Sequence, residues 1–194
     1  MNHYNPEKHI YTSIRGRLPG ATDVIKSHGL INLDWMTEDA RWRGQCVHRG
    51  IELFNRGELD LNTVDEGVAG YIRSYDAFVK ATGYEVLGCE IPCFTDSFGT
   101  IPDTWGLLNG VLSIVELKSG PIPKWAAIQT ALQSYALRHD KNVRIKKRYG
   151  LQLMENGSIS KLIEFPSVND DKVAMSMVEV FHWKKENNYF KFDN

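Results

Sequence analysis

The chain has 194 residues, 42% of them hydrophobic, and a formal net charge of −1 from 23 basic and 24 acidic residues. Length and apolar content suit one domain with its own core. The near-zero charge excludes a global basic field, so any nucleic-acid binding must rest on a local patch or on metal. No apolar run reaches the about 18 residues that span a bilayer, and the N-terminus lacks the apolar stretch of a signal peptide. Three cysteines, Cys46, Cys89 and Cys93, suit free thiols in a reducing cytosol.

Residues 1–22 are polar and punctuated by Pro6, Gly16, Pro19 and Gly20, which reads as an irregular lead. Arg15 and Arg17 within it either touch phosphate or belong to a solvated segment. A short helix is expected over Thr22–His28, ended by Gly29. Thr37 is an N-cap, with Glu38 and Asp39 in the first turn where the helix dipole favours acids. That helix runs to about Asn55 and stops at Gly57. It carries Gly44, His48 and Glu52 on one face, beside an apolar stripe of Val47, Ile51 and Phe54. His48 has space one turn before it and a carboxylate one turn after, so a ligand role and a surface role both stand. Residues 57–66 read as a loop, and a second amphipathic helix follows over Val68–Thr82, burying Tyr71, Tyr75, Phe78 and Val79.

Tyr84–Phe94 reads as one strand, with Cys89 and Cys93 on the same side of it and too few other ligands for a metal site. Glu90 interrupts its apolar pattern. It is either an added metal ligand or a solvated edge residue, and the edge is the reading taken here. Gly99–Gly120 then reads as a β-hairpin, because Asn109-Gly110 supplies the two positive φ angles of a type I′ turn. Leu108 then pairs with Val111, and counting outward sets Asp103 opposite Glu116. Glu116 and Lys118 share a face by the period of two, so two carboxylates and an ammonium point to one spot. Pro102 cannot donate to the ladder, so the hairpin frays or bulges there. Carboxylates so close repel unless a proton or cation lies between them, and a hard divalent ion is the natural occupant.

Ser119–Pro123 breaks the strand after Lys118. A helix over Lys124–His139 follows, with Trp125, Ile128, Leu132 and Ala136 as its core stripe and Gln129 and Gln133 one turn apart. The basic run His139–Arg148, including Lys146, Lys147 and Arg148, is either a phosphate-contacting edge or a solvated turn entering a strand. Tyr149–Met154 and Ser158–Phe165 read as a second hairpin around Asn156-Gly157. An amphipathic helix over Asp170–Asn187 closes the chain, with Val173, Met177, Val180, Phe181 and Trp183 on its apolar side. The order fits an α/β fold: one mixed β-sheet flanked by helices.

Pro102-Asp103, a spacer, then Glu116-Leu117-Lys118 resembles the signature of the PD-(D/E)XK nuclease superfamily. With Gly44–Glu52 around His48, Gly99–Asp103, Glu116–Gly120 and Trp125–Gln129 in that order, the chain resembles its RecB-like, phage-exonuclease-like branch over nearly all its length. The branch's last motif pairs a Gln with a Tyr one turn later. Here that later place holds Gln133, with Tyr135 two residues on. Three cysteines cannot build the four-cysteine iron–sulfur clamp of some relatives.

The resemblance implies a restriction-endonuclease-like core and Mg²⁺- or Mn²⁺-dependent hydrolysis of DNA phosphodiesters. It also implies exonuclease action in phage or bacterial DNA recombination, repair or processing, in a bacterial or phage-infected cytoplasm. Asp103, Glu116 and the Leu117 carbonyl would hold one or two ions, with His48 on the same or a second. Lys118 would orient or deprotonate the attacking water, and Gln129, or alternatively Gln133, would position the lysine or the phosphate. Glu52, Gln133 and Tyr135 would support the site, and Lys146, Lys147 and Arg148 would touch DNA. The alternatives are a catalytically silent DNA-binding or assembly protein on the same fold, and an enzyme using the acid pair for general acid–base work.

Overall fold

The computed structural model of the chain describes residues 2–32 and 37–192. Residues 2–18 are not an irregular lead. They form a three-stranded antiparallel sheet of β1 (His3–Asn5), β2 (Ile10–Ser13) and β3 (Gly16–Leu18). Strands this short carry little propensity signal; docking on the rest of the chain makes them. Tyr11 and Leu18 are buried. Gly99 N–H donates to the Pro19 carbonyl (2.9 Å), and Gly20 bridges to Gly99. A Cβ on Gly99 would fall 2.2 Å from the Tyr11 ring, so that ring packs on bare backbone.

Helix α1 (Ala21–Ser27) starts one residue earlier than expected. Helix α2 (Glu38–Asn55) begins where the sequence puts it, because Thr37 Oγ1 accepts from Ala40 N–H at 3.2 Å. A 3₁₀ turn over Leu61–Thr63, capped by Asp60, leads to α3 (Glu66–Thr82). The single strand expected over Tyr84–Phe94 is two: β4 (Glu85–Cys89) and β5 (Cys93–Phe94). The break falls at Glu90, whose φ of 51° lies in the left-handed region, two residues before Pro92. Cys89 and Cys93 therefore belong to different sheets, β5 pairing with β6 (Gly99–Thr100).

The hairpin is β7 (Thr104–Leu108) and β8 (Val111–Lys118). Asn109 and Gly110 take φ of 51° and 74°, and Leu108 pairs with Val111 as the turn chemistry requires. The ladder keeps that register as far as Thr104–Val115 and stops one pair short of Asp103–Glu116. Helix α4 (Ala126–Lys141) ends at Asn142, in the left-handed conformation common at C-caps. Strands β9 (Lys147–Gln152) and β10 (Lys161–Glu164) pair antiparallel across a longer link than a two-residue turn, and α5 (Asn169–Glu186) follows. Among the described residues, no helix is long and apolar enough to cross a membrane.

The main sheet has the order β10-β9-β8-β7-β4, antiparallel throughout except for β8 beside β9. It is a mixed sheet flanked by helices. Central β8 alternates between two cores: Ile114 packs with residues of α1, α4 and α5, while Val115 and Leu117 pack with α2 and α3. Glu116 and Lys118 follow the parity of Ile114, so they project toward α4. Because the Tyr11 ring occupies the space a side chain at Gly99 would need, Gly99→Ala should cost about 1–3 kcal/mol. A melting curve should show Tm lower by about 2–10 °C. Gly120→Ala, whose Cβ would meet nothing within 4 Å, should leave Tm unchanged.

Candidate active site

The fraying expected at Pro102 decides the geometry. On β8 the even residues turn their backbone polar groups to β9: Lys146 N–H donates to the Leu112 carbonyl and Leu153 N–H to the Lys118 carbonyl, each at 2.8 Å. The odd residues therefore turn theirs to β7. Continuing the register sets Pro102 opposite Leu117, and proline has no N–H to donate. The ladder ends, and Asp103 Oδ2 takes the Leu117 N–H instead, at 2.6 Å. The Leu117 carbonyl, on the same side, is left without the donor that any other residue at 102 would supply.

Around Asp103 two groups of side chains meet. From α2, His48 Nδ1 lies 3.1 Å from Glu90 Oε1 and 3.4 Å from Asp103 Oδ1. Glu90 is here because its own N–H donates to the Asp103 carbonyl (3.0 Å), carrying the β4–β7 pairing one step past the strand. The solvated-edge reading of Glu90 is thus wrong. Alternation along β4 could not reveal it, since a register shift between Val86 and Gly88 and the left-handed turn at Glu90 re-aim the side chain. On the α4 side, Lys118 Nζ donates to Glu116 Oε1 (2.6 Å) and Gln129 Oε1 (3.4 Å), and Gln133 Nε2 donates to Glu116 Oε2 (2.8 Å). Gln133 is fully buried, and its Oε1 is a buried acceptor with no hydrogen-bond partner among the described residues. The Trp125 ring centroid lies 5.2 Å from Lys118 Nζ.

Burial would depress the His48 imidazole, but Asp103 and Glu90 outweigh it and hold it well above its ordinary value. Burial also pushes up Asp103, yet His48, Lys118 and the Leu117 amide keep that carboxyl below the usual range. Glu90 is raised, by burial first. Glu116 rises to about 7 from burial and from the Asp103 charge. Burial would lower Lys118, but Glu116 and Asp103 more than offset it, so the ammonium keeps its proton.

Three carboxylates thus face one permanent cation. One ligand atom each of His48, Glu90 and Asp103 lie within 4.8 Å of one another. The imidazole–carboxylate spacings of 3.1 and 3.4 Å match neighbouring ligands on an octahedral ion with bonds of about 2.1 Å. The donor set fits a divalent cation. Glu116 stands outside this trio, with its two oxygens engaged by Lys118 and Gln133. Glu52, one turn past His48, lines the same cleft but is clasped by Arg49 and Arg56.

Two sequence-derived candidates fall away. Tyr135 is on another face of α4, 41% exposed and stacked near His139 at 6.3 Å between ring centroids. Gln133 faces the sheet, and a step of two residues turns a side chain about 200° round a helix. Arg148 is no DNA contact: it is 7% exposed and donates to the Ala127 and Ser167 carbonyls and to Asp170. Lys146 and Lys147 are both exposed; Lys147 pairs with Glu164, and Lys146 has no ion pair among the described residues.

No family model matches the chain. No curated protein matches it. Among solved structures, the crystal structure of LHK-Exo in complex with dAMP is similar, with TM-score 0.44 and 14% identity over 88% of this chain and 89% of that one. At that level the site has to be argued from its own residues.

The buried ties of Arg148 give a test of its structural role. Arg148→Met should lower stability by about 2–4 kcal/mol, since it strips two carbonyls and Asp170 of a charged donor. Lys146→Met should leave it within about 0.5 kcal/mol. Urea denaturation of the two variants reads the difference.

Proposed function

We propose that the protein is a metal-dependent deoxyribonuclease with a restriction-endonuclease-like core, an exonuclease of phage or bacterial DNA recombination, repair or processing that works in the cytoplasm. The observation that carries this reading is the Asp103 carboxylate. It is shared between the His48–Glu90 pair and the end of the strand that bears Glu116 and Lys118. That combination suits hydrolysis of a phosphodiester: a hard-ion site of carboxylates and imidazole beside a fixed ammonium.

His48, Glu90 and Asp103 would hold Mg²⁺ or Mn²⁺, with the Leu117 carbonyl, freed by Pro102, as a further ligand. Glu116 would serve through its oxygens or a bridging water. The ion's contribution is to polarise the scissile phosphate and lower the pKa of the attacking water. Lys118, whose charged form Glu116 and Asp103 favour, would orient that water and offset charge building on phosphate. Gln129 steadies the Lys118 ammonium, and Gln133 steadies Glu116. The water oxygen would release a proton and bond to phosphorus as the bond to the leaving oxygen breaks, and the leaving oxygen would take up a proton. Lys146, with Arg138 and Arg144 on the same groove of about 400 Å³, would meet backbone phosphates away from the site.

Excess EDTA should abolish cleavage of DNA, and Mn²⁺ should restore it at least as well as Mg²⁺, because an imidazole ligand suits the softer ion. Calcium should support DNA binding with little turnover. Lys118→Ala should lower kcat about 10²–10⁴-fold while binding persists. Glu90→Gln and His48→Ala should instead raise the Mn²⁺ needed about 10–100-fold. A nicking and end-resection assay with metal titration reads all of these. Cleavage that survives EDTA, or wild-type turnover by Lys118→Ala, overturns the reading. DNA binding with no cleavage under any metal would identify a silent DNA-binding protein on the same fold.

A further inference from the structure

The active-site cleft has two lobes. One, of about 640 Å³, opens against α2 at Gly44, His48 and Glu52; the other, of about 380 Å³, opens against α1 and α4 at Thr22, Asp23 and Gln129. Four residues line both: Glu90 and Ile101 from the core, Tyr4 and His9 from the N-terminal sheet. The rings of the β1–β2 hairpin therefore stand where the lobes meet, beside a carboxylate of the metal-type trio.

These rings are held in place. The Tyr4 ring lies 4.9 Å from the buried Tyr11 ring, which in turn meets Phe94 edge-on at 5.9 Å. The Tyr4 hydroxyl is 2.7 Å from His9 Nδ1. His9 has φ 50°, a left-handed conformation that a non-glycine residue adopts at a cost, and its side chain is exposed. A strained backbone thus fixes an exposed ring at the mouth of the site, and a second, half-buried ring backs it.

We infer that Tyr4 and His9 form a nucleobase-stacking wall. It grips the base next to the phosphate at His48, Glu90 and Asp103, so that the chain engages DNA as an unpaired strand or a frayed end. The inference rests on the nuclease reading and deepens it by naming the substrate class. A nucleotide's base is one sugar away from its phosphate, within reach of rings that share the cleft with Glu90. Aromatic side chains stack on any base by its face. A base inside a duplex has its faces covered by its neighbours, and only an unpaired base offers one. Tyr4 and His9 are here positioning residues for the strand.

The test uses the full chain and short single-stranded oligonucleotides carrying one 2-aminopurine at successive positions, bound in Ca²⁺ and cut in Mn²⁺. One position flanking the cleaved bond should be quenched. Combining Tyr4→Leu with His9→Ala should abolish that quenching and raise KM about tenfold with kcat within about twofold. Tyr4→Phe should retain both signals. An abasic residue at the quenched position should raise KM for the unaltered protein by a similar factor, which keeps the test independent of how the variants fold. A fully paired blunt duplex should be cut more slowly than the same strand unpaired. Uniform quenching, or an unchanged KM with both the double variant and the abasic strand, overturns the stacking wall and leaves the nuclease reading intact. No binding and no cleavage of any strand by the unaltered protein overturns both.

Discussion

The missing N–H of Pro102 is the constraint on which the site depends. A regular hairpin closed by Asn109-Gly110 would carry its ladder straight past Asp103 and consume both backbone groups of Leu117 in strand pairing. Proline stops it at Thr104–Val115. Asp103 is then free to turn its carboxylate onto the Leu117 amide and to present its other oxygen to His48. One residue that cannot pair converts the end of a β-ladder into a carboxylate held by a backbone donor, next to a carbonyl that has lost its own.

That ladder end falls on the seam between the two cores. The cluster under α2 and α3 holds β8 by Val115 and Leu117, and the cluster under α1, α4 and α5 holds it by Ile114. Side chains from both helical layers can reach the seam, so His48 arrives from α2 and Gln129 and Gln133 from α4. The apolar layers on both sides bury Asp103 and Glu116, which strengthens their charge–charge contacts. They also make those charges costly to bury. Glu116 shows the cost: with almost no exposure it has two donors at its oxygens and still binds its proton more tightly than a free carboxyl.

What was legible in the sequence is what local chemistry decides. Thr37 capping Ala40 N–H, the positive φ pair at Asn109-Gly110, and the alternation of Ile114, Val115, Glu116, Leu117 and Lys118 need no tertiary context. What was not legible depends on partners distant in sequence. The three N-terminal strands exist because Tyr11 seats on Gly99, nearly ninety residues away. Glu90 joins the site through a bulge and a left-handed residue, neither of which alternation encodes. Arg148 reads as one cation of a basic run, and only packing against α4 and the start of α5 makes it a buried tie. The choice between Gln129 and Gln133 dissolves, because each holds a different member of the Lys118–Glu116 pair.

A chain of net charge −1 with three carboxylates in its cleft repels a polyanion at long range, so attraction has to be local. Several basic side chains on the sheet and helix surfaces are already paired: Arg49 and Arg56 with Glu52, Lys80 with Asp76, Lys147 with Glu164, Arg148 with Asp170. Arg138, Arg144 and Lys146 line one groove and, among the described residues, have no ion pair. With three cations lining that groove, few counterions would be released there and the salt dependence it adds would be shallow. On the proposed reading, much of the grip on a strand would come from contacts that salt screens little: a divalent ion between carboxylates and phosphate, and ring faces against bases. A net charge that denies the chain a global basic field thus fits the proposed site, which would hold its substrate at the reacting phosphate itself.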